Sequence, residues 1–330
     1  MIARLSKVID PLVRLLLLAI ALATVLPVTG EARAIARVVS DAAIFLLFLL
    51  NGLRLPREQV LRGLRHWRFL LALTLWVFGA MALAGYAGAR IADSILPSAI
   101  ALGFIFLGVL PSTVQSATAY TSLAGGNVAN SVIAAAVLNI LGVFMSAPLL
   151  AWLASSETAG LDLGVLERIG IILLLPFALG QILQSRFGEK IAMRKMLFAW
   201  MDRIAIGIAV YVAFSGAVEQ GLWSKLPWSG WAMLIALVAA LLLFAFAGAW
   251  LLGTVLRLDR ADRISFLFAG AQKSIAMGAP LAAILFPPAT AGLILVPVLA
   301  YHLLQLVVSA PLAARLSHAG SATPHPGSSD

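Results

Sequence analysis

Long runs of apolar residues follow one another along almost the whole chain. A helix that crosses a bilayer needs about 20 predominantly apolar residues. About ten such runs can be placed, at residues 10–28, 34–53, 68–90, 97–123, 128–153, 167–185, 203–223, 230–255, 263–286 and 289–315. Only 11% of the residues are charged, whereas an ordinary soluble domain carries about 25%. The sequence therefore predicts an all-α polytopic membrane protein with about ten transmembrane helices and no soluble catalytic domain.

The basic residues predict an orientation in the membrane. When both termini are placed in the cytoplasm, 17 of the 23 Lys and Arg residues fall in cytoplasmic segments, and Lys273 lies inside a span. The outside segments hold the remaining five: Arg33, Arg37, Arg90, Arg168 and Lys225. Such an excess marks the cytoplasmic side of membrane proteins. We therefore expect a multi-pass protein of the cell inner (plasma) membrane, surrounded by the lipid bilayer. The net charge of +9 is explained by the basic residues on the cytoplasmic side, so we expect no nucleic-acid partner.

Two of the predicted spans are interrupted by polar residues, and they occupy matching places in the two halves of the chain. The first interruption covers Leu110–Thr118 and the second covers Ala269–Pro280. Backbone that leaves the helix at bilayer depth is tolerated only where protein or a water-filled cavity surrounds it. Paired interruptions of this kind point to the binding site of a secondary transporter.

A short internal repeat supports a division into halves. Residues Met145–Leu153 recur as Val308–Leu316, with Ser-Ala-Pro-Leu in both copies, and each copy ends the span after an interrupted one. Five spans in each half make the second half enter the membrane from the opposite face, which predicts two inverted five-helix repeats at residues 1–158 and 159–316. Residues 317–330 are rich in Ser, Gly, Pro and His, a composition that predicts a disordered cytoplasmic tail.

The first interruption and the next span contain the first set of candidate binding residues. Pro111 removes a backbone donor and creates a kink. The polar side chains that follow can either bond the freed carbonyls or contact a bound solute, and both alternatives stay open for each of them. The candidates are Thr113, Gln115, Ser116, Ser131 and Asn139.

The second interruption supplies Gln272, Lys273 and Ser274. A charged side chain at the centre of a bilayer costs about 2.5–3.5 kcal/mol and is functional by default. Lys273 can pair with an anionic substrate, stand in for a bound cation, or carry a proton. Asp41 is a conceivable partner within another span. In the last span, His302 is either a proton relay or a hydrogen-bonded structural residue.

The chain resembles the bile acid:sodium symporter superfamily, most closely its branch of member-seven-like carriers, from about residue 9 to residue 316. The segments that carry the resemblance are Leu110–Val128, Gln272–Ser274 and Tyr301–Leu306. The resemblance implies ten helices in two inverted repeats, with two broken helices that cross in a core domain beside a panel domain.

The resemblance also implies a set of sodium ligands. In the sodium-coupled branch, a Ser-Asn pair on the first broken helix, Ser and Thr on the next helix, and a Glu and a Gln on the second broken helix hold sodium near the crossing. At three of these positions the chain has the same residue type as the sodium-coupled branch. These residues, the candidate sodium ligands, are Ser116, Ser131 and Gln272.

Other ligand positions depart from the family pattern. Ala117 stands at the position of the Asn, Ala135 at that of the Thr and Phe268 at that of the Glu, and no Gln occurs between His66 and Ile91. Loss of the carboxylate removes the charge that compensates the ion, and Lys273 adds a positive charge. These departures argue against sodium coupling through the usual sites and leave uniport, exchange or proton coupling open.

Two functions are consistent with these residues, and a third is not supported by them. The leading hypothesis is alternating-access transport of a small organic anion, held by half-helix N-termini and Lys273. The alternative is a membrane regulator of ion homeostasis, such as calcium, without robust solute transport. An intramembrane hydrolase built on a serine and His302 lacks a Gly-x-Ser-x-Gly motif, so no enzyme is predicted. The chain has no cysteine, which excludes thiolate chemistry, and no cofactor is expected beyond sodium or a proton as the coupling ion.

Overall fold

The computed structural model describes residues 10–54, 66–154 and 167–321, which form helices and include no β-strand. We number the helices along the chain, and a one-turn helix, Leu222–Lys225, lies between α8 and α9. The helices are α1 (Pro11–Val25), α2 (Gly30–Arg54), α3 (Trp67–Ala92, with a π-helical turn at Trp76–Ala80), α4 (Ser98–Val109), α5 (Gln115–Leu123), α6 (Val128–Leu153), α7 (Leu175–Met193, continuing a π-helical turn at Gly170–Leu174), α8 (Lys195–Glu219), α9 (Trp228–Val255), α10 (Arg260–Ala271), α11 (Ile275–Leu285) and α12 (Pro288–Ser321).

Seven of the described helices are long and apolar enough to cross a membrane, namely α2, α3, α6, α7, α8, α9 and α12. Helices α1 and α4 are apolar but shorter. Large apolar side chains point outward, among them Val25 and Trp152, which are 77% and 71% exposed. Lipid is the solvent that accepts such a surface, since large apolar patches are rare on soluble monomers. The prediction of an all-α multi-pass membrane protein is confirmed, with seven described helices long and apolar enough to cross a membrane.

Several predicted boundaries differ from the structure; α7, for example, continues to Met193 beyond the predicted end at residue 185. Helix α8 begins at Lys195 and not at residue 203, and α12 continues to Ser321. Residues 317–321 of the predicted disordered tail are helical. No proline follows Pro311 until Pro324, and each residue added to a helix gains a backbone hydrogen bond. The remaining tail residues and the predicted boundary at residue 158 lie outside the described residues.

The helices pack in two groups. The first helix group is α1, α2, α7 and α8, in which α2 packs on α7 and α8, and α8 packs on α1. The second helix group is α3–α6 with α9–α12, in which α3 packs on α4, α10 on α9, and α12 on α4 and α11. Helix α8 joins the groups through contacts with α11 and α12.

Both interruptions are short extended segments. The first separates α4 from α5 at residues 110–114, and the second separates α10 from α11 at Gln272–Ser274. Ser274 N donates to Pro111 O at 2.9 Å, so the two breaks meet. The second break is narrower than the predicted interruption, since Gly278 and Pro280 lie inside α11. A tight turn at Gly125, whose φ of +72° suits a glycine, joins α5 to α6.

Candidate functional site

The backbone of the first break is hydrogen-bonded to side chains from other helices. Ser146 Oγ donates to Val109 O at 2.8 Å, and Asn139 Nδ2 donates to Ser112 O at 3.0 Å and to Ala135 O at 2.7 Å. A carbonyl without a partner at this depth costs several kcal/mol. Asn139 and Ser146, both on α6, therefore make the break stable inside the protein.

The backbone of the second break is satisfied in the same way by α3 and α12. Trp76 Nε1 donates to Gly270 O at 3.2 Å, and Tyr301 Oη donates to Ala271 O at 2.6 Å. Gln305 binds the backbone of Lys273 on both sides: Lys273 N donates to Gln305 Oε1 at 2.8 Å, and Gln305 Nε2 donates to Lys273 O at 3.1 Å. The second break is thus held by the side chains of its neighbours.

The ammonium group of Lys273 lies among main-chain carbonyls. Lys273 Nζ donates to Gly108 O at 2.7 Å, to Leu110 O at 2.8 Å and to Val77 O at 3.1 Å. The residue is 1% exposed. The pairing with Asp41 that the sequence left open is not formed, and Asp41 instead accepts from Arg168 Nη2 at 2.9 Å. Lys273 therefore links the second break to α3 and to the end of α4.

Gln272 connects the two breaks through hydroxyl groups. Thr113 Oγ1 donates to Gln272 Oε1 at 2.8 Å, and Ser116 Oγ donates to the same oxygen. Gln272 Nε2 donates to Ser309 Oγ at 3.2 Å. The structure thus brings the sequence-predicted residues Thr113, Ser116 and Gln272 together. Ser131 lies in a different cluster, where its hydroxyl is 3.3 Å from Thr121 Oγ1.

A cavity of about 390 Å³ lies between the two helix groups, beside the breaks. Of the sequence-predicted site residues, the following line it: Thr113, Gln115, Ser116, Asn139, Ser274 and His302. Gln272, Lys273 and Ser131 are not among the lining residues. Much of the wall is apolar and comes from α2, α6 and α8, with side chains such as Phe48, Ile140 and Ile206.

Two helix N-termini face this cavity. Residues 114–116 at the start of α5 and residues 274–277 at the start of α11 line it. One first-turn N–H of each helix is already bonded, since Ala117 N donates to Thr113 Oγ1 at 3.2 Å and Met277 N donates to Ser274 Oγ at 3.2 Å. The remaining first-turn N–H groups have no partner within their own helix. Two positive helix ends therefore converge on one space.

Charged residues also line the cavity. Arg54 forms an ion pair with Asp202, with a hydrogen bond of 3.0 Å from Nη2 to Oδ1. Arg203 lies with its guanidinium carbon 5.3 Å from the centre of the Trp200 ring, and its Nε has no hydrogen-bond partner among the described residues. Asp10, which is exposed, lines the cavity as well. The cavity therefore reaches the protein surface on the side where Arg54 and Arg203 lie.

Comparison with known proteins identifies the family. The model of the SBF-like CPA transporter family matches residues 10–318. The chain belongs to this family. The result confirms the resemblance to the bile acid:sodium symporter superfamily, and a family of membrane transporters agrees with the prediction that the protein is not an enzyme.

Relatives of this SBF-like protein include two with transport names and one without. "Putative symporter YfeH" of Escherichia coli (strain K12) is 35% identical over 315 residues, which are 94% of each chain. An "uncharacterized protein" of Pseudomonas aeruginosa is 36% identical over 301 residues, which are 91% of this chain and 90% of the relative. "Sodium/bile acid cotransporter 7" of Mus musculus is 23% identical over 281 residues, which are 83% and 82% of the two chains.

The residues of this SBF-like transporter fit the implied sodium site poorly. Phe268, at the position of the Glu, is buried, and its ring centre lies 5.9 Å from that of Tyr120 and 6.3 Å from that of Phe246. Ala117 and Ala135 are buried and bring no side-chain oxygen. Sodium needs oxygen ligands, and at these three positions the chain has an aromatic ring packed near two others and two methyl groups.

His302 is part of the cavity wall and of the support of the second break. Its Nδ1 accepts from Gln305 Nε2 at 2.9 Å, and Gln305 also binds Lys273. A ring nitrogen that accepts this bond places the proton of the neutral imidazole on the other nitrogen. The geometry therefore gives His302 a structural contact, and the proton-relay alternative remains a prediction.

Several side chains that hold the breaks or line the cavity were missed by sequence reasoning, among them Trp76, Ser146, Ser309 and Arg203. Ser146 and Ser309 are equivalent residues of the internal repeat, and each bonds a broken helix. The repeat was therefore a usable signal for both serines. Trp76 starts a π-helical turn that no pattern in the sequence indicates.

Proposed function

We propose that this protein is a secondary transporter that moves a small organic anion across the membrane by alternating access. The observation that carries the proposal is the convergence of the α5 and α11 N-termini on one cavity. Helix N-termini attract anions through their free N–H groups and their dipoles. Two of them at a break near the middle of the membrane are the arrangement that carriers use for an anionic group.

The shape and chemistry of the cavity support an anion with an apolar part. Its volume of about 390 Å³ falls within the range of about 300–1,000 Å³ that is typical of small-molecule sites. Arg203, with its free Nε, gives the cavity a further cationic group, whereas Arg54 is paired with Asp202. In this proposal the N-termini and Arg203 bind the anionic group, and the apolar wall contacts the rest of the solute.

We further propose that the fold consists of ten spans in two inverted repeats, at residues 1–158 and 159–316. Joining α4 to α5 and α10 to α11 across their breaks reduces the twelve numbered helices to ten spans. The equivalent serines Ser146 and Ser309 support the symmetry, because each donates to or accepts from the broken helix of its own half. Movement of one helix group against the other would then open the cavity alternately to each side.

The proposed orientation places the open end of the cavity, with Arg54 and Arg203, in the cytoplasm of a cell whose inner (plasma) membrane holds the protein. Three arginines on this side lie over tryptophan rings at 4.2–5.5 Å: Arg68 over Trp67, Arg203 over Trp200 and Arg263 over Trp250. Arg and Trp concentrate at membrane interfaces, with Arg favouring the cytoplasmic side.

The orientation has a direct test in intact cells. Because the chain has no cysteine, single cysteines can be introduced without background. A cysteine replacing Ser94, which is exposed between α3 and α4, is expected to react with an impermeant maleimide from outside. A cysteine replacing Arg194, which is exposed between α7 and α8, is expected to react only after the cells are opened. The reverse pattern would contradict the proposed orientation.

Binding of the anion is tested by thermal unfolding of the purified protein. Benzoate, benzenesulfonate and taurocholate are the probes, with benzyl alcohol as an uncharged control. We expect at least one anion to raise the unfolding temperature. Arg203→Gln is expected to weaken that ligand about tenfold, the effect of one charge-assisted hydrogen bond.

Arg263→Gln is the matched control, because Arg263 also lies over a tryptophan of the same side but is not among the cavity-lining residues. It is expected to leave ligand affinity unchanged. Equal weakening by the two substitutions would remove Arg203 from the site. If no anion stabilises the wild type, the regulator of ion homeostasis becomes the better proposal.

A further inference from the structure

We propose that the Lys273 ammonium is a built-in monovalent cation that occupies a carbonyl site where the two broken helices meet. The consequence of this built-in cation for ion coupling rests on the proposed transport function. The two conformations of the transport cycle would interconvert without a free cation bound at this position. The carbonyl site itself does not depend on that function, since its contacts are present in the structure. It is distinct from the cavity, since Lys273 is not a cavity-lining residue.

The contacts of the ammonium resemble those of a bound ion. All three of its N–H groups are used, and all three acceptors are main-chain carbonyls, at 2.7, 2.8 and 3.1 Å. Rings of main-chain carbonyls replace the hydration shell of monovalent cations in selectivity filters. In the described part of the chain, no carboxylate forms an ion pair with Lys273. Carbonyl dipoles therefore stabilise the charge.

Two features of the fold supply these carbonyls. Gly108 is in the last turn of α4, and Leu110 follows its end, so both carbonyls lie at the negative end of the helix dipole. Val77 belongs to the π-helical turn of α3, where the altered hydrogen-bond pattern exposes a carbonyl sideways. A helix end and a π turn thus form an electronegative site without an acidic residue.

The backbone of Lys273 is fixed so that its side chain reaches this site. Gln305 binds both the N–H and the C=O of Lys273. Ser274, the next residue, lines the cavity. Two consecutive residues therefore contribute to two different sites, Lys273 to the carbonyl site and Ser274 to the cavity. Because Lys273 is fully buried, the ammonium is held at the crossing and is not presented to a solute in the cavity.

The experiment removes the ammonium and asks whether a free cation replaces it. Lys273→Ala opens the carbonyl site, and Lys273→Met, with a side chain of similar length and no charge, keeps it filled. Both variants and the wild type are unfolded by heat in ammonium, potassium, sodium or choline chloride at one ionic strength, without any organic anion. Failure of this test would therefore leave the proposed anion transport untouched.

Ammonium chloride is expected to raise the unfolding temperature of Lys273→Ala saturably, by about 4 °C at a concentration about 100-fold above its dissociation constant. Lys273→Met and the wild type should show no such dependence. A folded Lys273→Ala that responds equally to ammonium and choline would overturn the proposal. So would a saturable stabilisation of the wild type by sodium over choline, which remains measurable even if Lys273→Ala does not fold.

Discussion

Replacing Gly216 by valine is expected to reduce the reactivity of a cysteine in the cavity about threefold or more, without unfolding the protein. A Cβ atom built on Gly216 of α8 would lie 1.9 Å from Pro288 O at the start of α12. The two backbones must therefore separate. Overpacking of this kind costs about 1–3 kcal/mol, and a cost of about 2 kcal/mol changes a two-state population ratio roughly 30-fold.

The position of the contact between Gly216 and Pro288 determines which conformation the substitution favours. Gly216 lies ten residues beyond Ile206, a cavity-lining residue of the same helix, which is about 15 Å along the axis. The contact joins the two helix groups on the side opposite the open end of the cavity. Its disruption favours the conformation that is open on that opposite side and closed near Arg203.

The measurement uses Ala136→Cys, a small residue of α6 in the cavity wall. Its reaction rate with a water-soluble thiol reagent is compared in protein with and without Gly216→Val. Gly85→Val is the matched control, because a Cβ at Gly85 of α3 would lie 2.5 Å from Phe104 O of α4, in a contact within the second helix group, and neither residue lines the cavity. This control should lower stability without slowing the reaction. An unchanged rate in folded Gly216→Val would show that the α8–α12 contact does not move.

The membrane fold was predictable because its signal is redundant. Each run of apolar residues is long, and a few misplaced residues at an end leave the span intact. The runs predicted at residues 128–153 and 230–255 correspond to Val128–Leu153 and Trp228–Val255. The breaks were predictable for a related reason: Pro111 and Lys273 are chemically unusual in apolar surroundings, and each lies in an extended segment.

The partners of the break residues were not predictable, because they depend on which helices become neighbours. The sequence marks Lys273 as a buried charge, but the direction of its side chain is set by Gln305 from α12 and by a carbonyl from the π turn of α3. The separation of Ser131 from Gln272 likewise depends on the angle between α6 and α10. A pattern along one helix contains no information on such angles.

Replacing Gln305 by leucine is expected to destabilise the protein by about 3 kcal/mol or more. Leucine is close to glutamine in size and fills the same space, so the loss comes from hydrogen bonds. The N–H and C=O of Lys273 each lose their partner from Gln305, and each buried unpaired group costs about 1–3 kcal/mol. His302 Nδ1 loses its partner as well. The free energy of unfolding is measured by titration with SDS in mixed micelles.

Gln115→Leu provides the control, since Gln115 lines the cavity and is exposed; its expected effect is within about 0.5 kcal/mol. Interhelical hydrogen bonds in membranes contribute only about 0.6 kcal/mol on average, because the unfolded state finds other partners. Gln305→Leu differs, since it leaves the groups of Lys273 unpaired in the folded state, where the extended segment has no intrahelical alternative. A loss below about 1 kcal/mol would mean that water reaches the second break, and the fixed position of the Lys273 ammonium would then need another support than α12.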